Sequence, residues 1–221
     1  MRRKLAVLGV LLSVMAMSPV KKTRIVFFGD SITQAGVNSG GYIDLIQQSI
    51  SKSPGNEYEL IGAGIGGNKV YDLYLRMDED VLARKPDIVV IYVGINDVWH
   101  KTSLGTGTDQ DKFEKFYVAI IKKLQAHKIR VAICTPSVIG ELKNGANPQD
   151  KDLDAYSGII RKLATTYNCE LIDLRKAFAD YELANNKDNT EAGILTTDRV
   201  HLTTTGNRLV ADEMMKTLAI Q

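Results

Sequence analysis

Arg24–Thr33 reads RIVFFGDSIT. Ile25–Phe28 is an unbroken run of strand-forming apolar residues, and Gly29 and Asp30 end it abruptly. A buried strand that stops at Gly-Asp-Ser delivers the Ser31 hydroxyl to the carboxyl edge of a sheet. In open α/β folds that edge is where ligands bind. Ser31 then has two readings. It is an N-cap for whatever follows, or it is a nucleophile, which needs a base and an anion-stabilising pocket from elsewhere in the chain.

Downstream of this stretch, strand-like and helix-like patterns alternate. Tyr58–Ile61, Ile88–Val93, Arg130–Cys134 and Leu171–Leu174 read as further strands. Ile88–Val93 is wholly apolar, as a central parallel strand should be. Between them lie amphipathic segments at Gly41–Ser51, Val70–Ala83, Asp111–His127, Leu153–Tyr167, Arg175–Asn185 and Thr205–Leu218. Five strands each followed by a helix predict a parallel sheet with helices on both faces, a three-layer α/β/α domain. The longest irregular stretches, Trp99–Gln110, Thr135–Lys151 and Asn186–Thr204, follow the third, fourth and fifth strands. All three are expected at the same edge as Ser31, and loops this long in a compact domain are usually functional.

The first 20 residues have a different composition. Arg2, Arg3 and Lys4 precede an apolar run from Leu5 to Met17, followed by Ser18 and Pro19. That is the layout of a signal peptide, and the run is shorter than the roughly 20 residues of a membrane-spanning helix. The expectation is a signal peptide over 1–20, a hydrolytic or binding domain over 21–221, and a secreted or periplasmic protein with no membrane span once the leader is removed. The 28 Lys and Arg against 26 Asp and Glu give +2. Without the three leader cations the balance is 25 against 26, a net −1. The remaining basic residues alternate with acids, which argues against a nucleic-acid partner. Cys134 and Cys169 fall at opposite ends of neighbouring parallel strands, too far apart for a disulfide, and read as buried free thiols.

Three more stretches carry chemistry. Gly62-Ala63-Gly64-Ile65-Gly66-Gly67-Asn68 follows the second strand. Its glycines fit a dinucleotide fingerprint, or a loop whose backbone N–H groups face a ligand. Gly94-Ile95-Asn96-Asp97 ends the third strand and offers a side-chain amide there, or merely a turn. Asp198-Arg199-Val200-His201 precedes the last helix, and its carboxylate can reach the imidazole Nδ1 within one tight turn. Among the other histidines, His127 ends a helix and His100 follows Trp99 in a loop at the sheet edge. No His/Cys/Asp/Glu spacing suggests a metal cage. One hypothesis absorbs all four stretches. Ser31 is the nucleophile, His201 its base and Asp198 the orienting acid. The N–H groups of Ser31 and Gly67 with the Asn96 amide form an oxyanion hole.

These blocks resemble the SGNH, or GDSL-type, hydrolase family. Gly29–Ile32 (GDSI), Gly66-Gly67-Asn68, Gly94–Asp97 (GIND) and Asp198–His201 (DRVH) are similar to its blocks in order and spacing. The resemblance implies a flavodoxin-like sheet of order 2-1-3-4-5 and hydrolysis of esters or thioesters without a metal or other cofactor. Gly66 stays open as the alternative oxyanion donor to Gly67. Asp30, Trp99 and His100 are candidate substrate-binding positions, and Asp30 and Asp97 are expected to brace the loops. Stretches near Ser31, such as TQAGVNSGG (33–41) and KTSLGTGTDQ (101–110), are small and polar. They favour a short acyl group, most simply acetyl, on a sugar or other polar alcohol. A lipase or thioesterase for longer chains, and a non-catalytic nucleotide- or glycan-binding module, are the alternatives.

Overall fold

The computed structural model describes residues 22–52 and 58–220. The leader predicted over 1–20 lies outside them. Five parallel strands, β1 (Thr23–Gly29), β2 (Tyr58–Gly64), β3 (Ile88–Tyr92), β4 (Arg130–Cys134) and β5 (Glu170–Ile172), form one sheet in the order β2-β1-β3-β4-β5. This is the three-layer α/β/α fold and the strand order expected. β3 lies in the middle with all five residues buried, which is why its sequence is apolar throughout rather than alternating.

The helices are α1 (Ser31–Gly36), α2 (Tyr42–Ile50), α3 (Val70–Asp80), α4 (Ile95–Ser103), α5 (Gln110–Ala126), α6 (Asp150–Thr166), α7 (Leu174–Asn185) and α8 (Thr204–Leu218), with a short 3₁₀ turn at Leu82–Arg84. The chain steps from β1 to β2 in one direction and from β3 to β5 in the other. Right-handed crossovers therefore put α2 on one face and α3, α5 and α6 on the opposite one. Helix packing agrees: α8 lies against α2, α3 against α5, and α5 against α6.

Strand register matters most for function. Gly29 pairs with both Gly64 and Tyr92, Tyr92 with Cys134, and Cys134 with Ile172. The five carboxyl ends are level. Whatever follows each strand emerges along one edge.

Three expectations need correction. First, Gly62 and Gly64 belong to β2 rather than to a loop after it. They are glycines because α1 crosses the strand at close range. A Cβ on Gly62 would lie 2.3 Å from Val37 Cγ1, and one on Gly64 2.1 Å from the Gln34 backbone N. Helix–strand packing, not a phosphate cradle, accounts for the glycine spacing, and the dinucleotide reading loses its ground. Second, the polar stretch at 33–41 and the irregular one from Trp99 onward begin inside helices α1 and α4. Gly94, at φ +132°, turns the chain, and Ile95 and Val98 then dock α4 into the core. Helices of one or two turns leave too few positions for a periodic pattern to show. Third, Cys134 is buried, but Cys169 is only partly so; both are free.

Candidate active site

The nucleophile candidate gains its freedom from its neighbour. The α1 N-cap is Asp30, not Ser31: Asp30 Oδ1 accepts from the Ile32 N–H at 3.0 Å. Ser31 is the first helical residue, so its hydroxyl is spared from capping. It lies 2.9 Å from His201 Nε2. His201 Nδ1 lies 2.7 Å from Asp198 Oδ2.

The turn that carries this acid and imidazole is held by the same carboxylate. Asp198 Oδ1 accepts from the Val200 N–H at 3.1 Å and the His201 N–H at 2.8 Å. Partial burial pushes the Asp198 pKa up. The ring and backbone donors of His201 and the N–H of Val200 outweigh it and hold the group below its ordinary value. An ionised carboxylate only accepts, so Nδ1 carries the ring proton. Nε2 is then the acceptor facing the Ser31 O–H. A Ser–His–Asp relay in this tautomer can take a proton from the serine and return it to a leaving group.

Donors for a developing oxyanion lie along the same edge. The Gly66 N–H donates to Gln34 Oε1 at 2.8 Å, whereas the Gly67 N–H has no partner among the described residues. Of the two glycines, Gly67 is the one with a donor to spare, and its φ of +77° belongs to the region that favours glycine. Asn96 is 2% exposed and donates one Nδ2 hydrogen to the Asn68 carbonyl at 3.0 Å. That contact fixes the amide plane and leaves its second hydrogen uncommitted.

The bracing groups are now clear. Asp30 is 2% exposed and bonded to backbone, which removes it from the candidate substrate contacts. Its role is the cap. Burial raises its pKa to about 7. Asp97 accepts the Val70 N–H on both oxygens at 3.2 Å and so anchors the start of α3; burial raises it to about 6. The other two candidates both lie at the site. Trp99 stands edge-on to the His201 ring, centroids 6.4 Å apart. His100 is 9% exposed, one turn after Asn96 on α4, with its Cε1 3.9 Å from where a Gly67 Cβ would be. Burial, and then the Lys69 charge, lower its pKa.

Sequence reading missed Arg76 and Glu141. Arg76 Nη2 donates to the Gly29 and Ala63 carbonyls at 2.8 and 3.0 Å, and Nε to Asn68 Oδ1 at 2.7 Å. One guanidinium thus ties the ends of β1 and β2 to the loop of Gly67. Glu141 is fully buried and accepts from the Ile194 and Leu195 N–H groups at 3.0 and 2.9 Å, from the Thr196 N–H, and from Thr196 Oγ1 at 2.6 Å. It clamps the segment that leads into Asp198. Nothing in the local sequence marks either role, because the carbonyls that Arg76 ties and the donors that Glu141 clamps are more than ten positions away. Glu141→Ala strands these buried donors, each costing about 1–3 kcal/mol unless water enters. The expected loss of stability is about 3–5 kcal/mol in urea unfolding, with Glu141→Gln milder. A loss under about 1 kcal/mol in Glu141→Ala would mean the clamp is dispensable.

The profile of the GDSL-like lipase/acylhydrolase family matches residues 27–209. The chain belongs to this family. This GDSL-type protein is 26% identical over 216 residues to an acetylxylan esterase of Geobacillus stearothermophilus, a match covering 90% of this chain and 94% of the relative. A solved acetyl xylan esterase, AlAXEase, is 61% identical with a TM-score of 0.87, covering 90% of this chain and 100% of that one. A Bacillus subtilis lipoprotein, YqeF, is 27% identical over 212 residues, covering 84% of this GDSL-type chain and 85% of its own. By family and relatives this GDSL-type protein is a carboxylic ester hydrolase. Among its described residues, no helix is long and apolar enough to cross a membrane.

Proposed function

We propose that the chain is an exported serine esterase that removes acetyl or similarly short acyl groups from a carbohydrate or comparable polar alcohol. Ser31 Oγ attacks the ester carbonyl carbon while His201 Nε2 takes its proton. The carbonyl π electrons move to oxygen, and the oxyanion is held by the N–H groups of Ser31 and Gly67 and by Asn96 Nδ2. Collapse breaks the bond to the alcohol oxygen, which receives the proton from His201. Water then attacks the acyl-serine with His201 again as base, and the acid and free Ser31 are released. Asp198 keeps the imidazole in its tautomer and stabilises the imidazolium. The observation that carries this reading is the unbroken contact Ser31 Oγ–His201 Nε2–Asp198, at 2.9 and 2.7 Å.

Support for the substrate class comes from the relatives that act on acetylated xylan and from the polar stretches around the site. The expected result is a maximum in kcat/KM at two to four acyl carbons across a series of p-nitrophenyl esters. A long chain needs an apolar groove, where each buried CH₂ contributes about 0.8 kcal/mol. A maximum at eight carbons or more would overturn the short-acyl reading in favour of a lipase or thioesterase.

Export rests on the basic start and apolar run of residues 2–17, with a lipoprotein among the relatives. Expressed in a bacterium, the full chain is expected outside the cytoplasm and shortened near residue 20. A version lacking residues 2–20 is expected to stay inside. Cytoplasmic retention of the full chain at full length would contradict export.

A further inference from the structure

A cavity of about 410 Å³ opens beside the His201–Asp198 pair, between α4, the segment before α6 and the turn at 198–200. Trp99, Pro148 and Val200 give it apolar walls, and Gln149, Asp152 and Arg199 give it polar ones. Its volume is within the range of about 300–1,000 Å³ typical of small-molecule sites.

Arg199 is the unusual feature. Its φ is +82°, a conformation that glycine adopts freely and a long side chain adopts at a cost. Strain of this kind collects at functional sites. The Arg199 Nε is buried with no hydrogen-bond partner among the described residues, and its ion pair with Glu191 Oε2 is long, at 3.8 Å. Asp152, across the same cavity in the first turn of α6, has Lys101 and Tyr156 as its electrostatic neighbours. A cation and an anion therefore line the same cavity as an indole, the cation with only that long contact to Glu191 among the described residues. Gln149, by contrast, is already fixed, donating to the Val98 carbonyl at 3.2 Å.

We propose that this cavity binds the alcohol half of the ester, and that its occupant is an uncharged, hydroxyl-rich ring such as a pyranoside. The side follows from the chemistry and rests on the esterase reading above. His201 hands its proton to the leaving oxygen, so the alcohol lies on the imidazole side of the reacting carbon. The cavity adjoins that imidazole, since Trp99 in its wall packs edge-on to His201 and Asp198, bonded to the ring, forms another part of the wall. The ligand class follows from the lining. With Asp198 already spent on His201 and its own turn, Arg199 and Asp152 are left to face a ligand, and together they favour one without net charge. Hydroxyls can accept from Arg199 and donate to Asp152, while the C–H face of a sugar ring suits the electron-rich face of an indole.

Trp99 is the single tryptophan of the 221 residues, so its emission reports on this cavity without labelling. Xylobiose, which has no ester, is titrated into the purified protein. The expected result is a saturable change in emission, retained in Ser31→Ala. Arg199→Gly preserves the turn because glycine accepts its φ, and Asp152→Ala removes the opposing acceptor. Each is expected to raise the apparent Kd about tenfold, the equivalent of about 1.4 kcal/mol. No saturable response, a response to octanoate in place of xylobiose, or an unchanged Kd in both variants would overturn the proposal. The two readings fail separately. Xylobiose binding with the expected losses, in a protein that cannot cleave acetylated xylosides, upholds the cavity assignment and sinks the esterase reading. Cleavage of those xylosides with no Trp99 response does the reverse.

Discussion

Ser31→Ala is expected to lower kcat by about 10⁴–10⁶, and His201→Ala to reach a similar floor, with the double variant no worse than either. The two side chains act as one unit: without the base the hydroxyl is a poor nucleophile, and without the hydroxyl the base has nothing to activate. What remains is water attacking an ester that the oxyanion donors still hold. Alanine at position 31 should not disturb the fold, because Asp30 supplies the cap and alanine is a good helix former. An unchanged melting temperature separates lost chemistry from lost structure. Asp198→Ala should be less severe, about 10²–10⁴ in kcat. The Asp198 side chain is 51% exposed, so water can replace part of its hydrogen bond to Nδ1. Ester hydrolysis at the wild-type rate in Ser31→Ala would end the mechanism.

Asn96→Ala is expected to lower kcat by about 10²–10³ while KM changes little. The reason is geometric. The Asn68 carbonyl holds one hydrogen of the amide, at 3.0 Å, which orients the other before any substrate arrives. A donor fixed in advance costs no reorganisation when charge develops on the carbonyl oxygen, so its benefit falls in the transition state. A change confined to KM would instead assign Asn96 to ground-state binding. Asn96→Asp is a sharper variant, because a carboxylate cannot donate and places negative charge where the oxyanion forms. It should lose more activity than the alanine variant despite its closer shape.

Much of the site was legible because its groups come in short blocks. GDSI, GIND and DRVH each place a candidate catalytic side chain within two or three residues of the backbone that positions it. Asp198 and His201 are the clearest instance, since their contact lies within a single turn and needs no knowledge of the rest of the chain. The strand pattern was legible for a related reason. A strand buried on both faces must be apolar at every position, and Ile88–Tyr92 shows this directly. Short helices were not legible. α1 has six residues and α4 nine, and both are set by what they pack against rather than by their own spacing.

By itself, the sequence determined the order of the strands and the longer helices, the three short blocks, and the candidates for nucleophile, base, acid and amide donor. Each of these depends on contacts a few positions apart or on burial that composition reports. Tertiary structure alone decided three other matters. It made Asp30 the cap and so left the Ser31 hydroxyl free. It committed the Gly66 N–H to Gln34, leaving Gly67 as the spare donor. It also brought Arg76, Glu141 and the Trp99–Arg199 cavity into place. The cap is a contact two residues long that either of two adjacent side chains could have made; the other matters depend on atoms mostly 30 to 100 residues apart meeting across a sheet edge, and a hydrogen bond across that separation leaves no periodic trace in the chain that makes it.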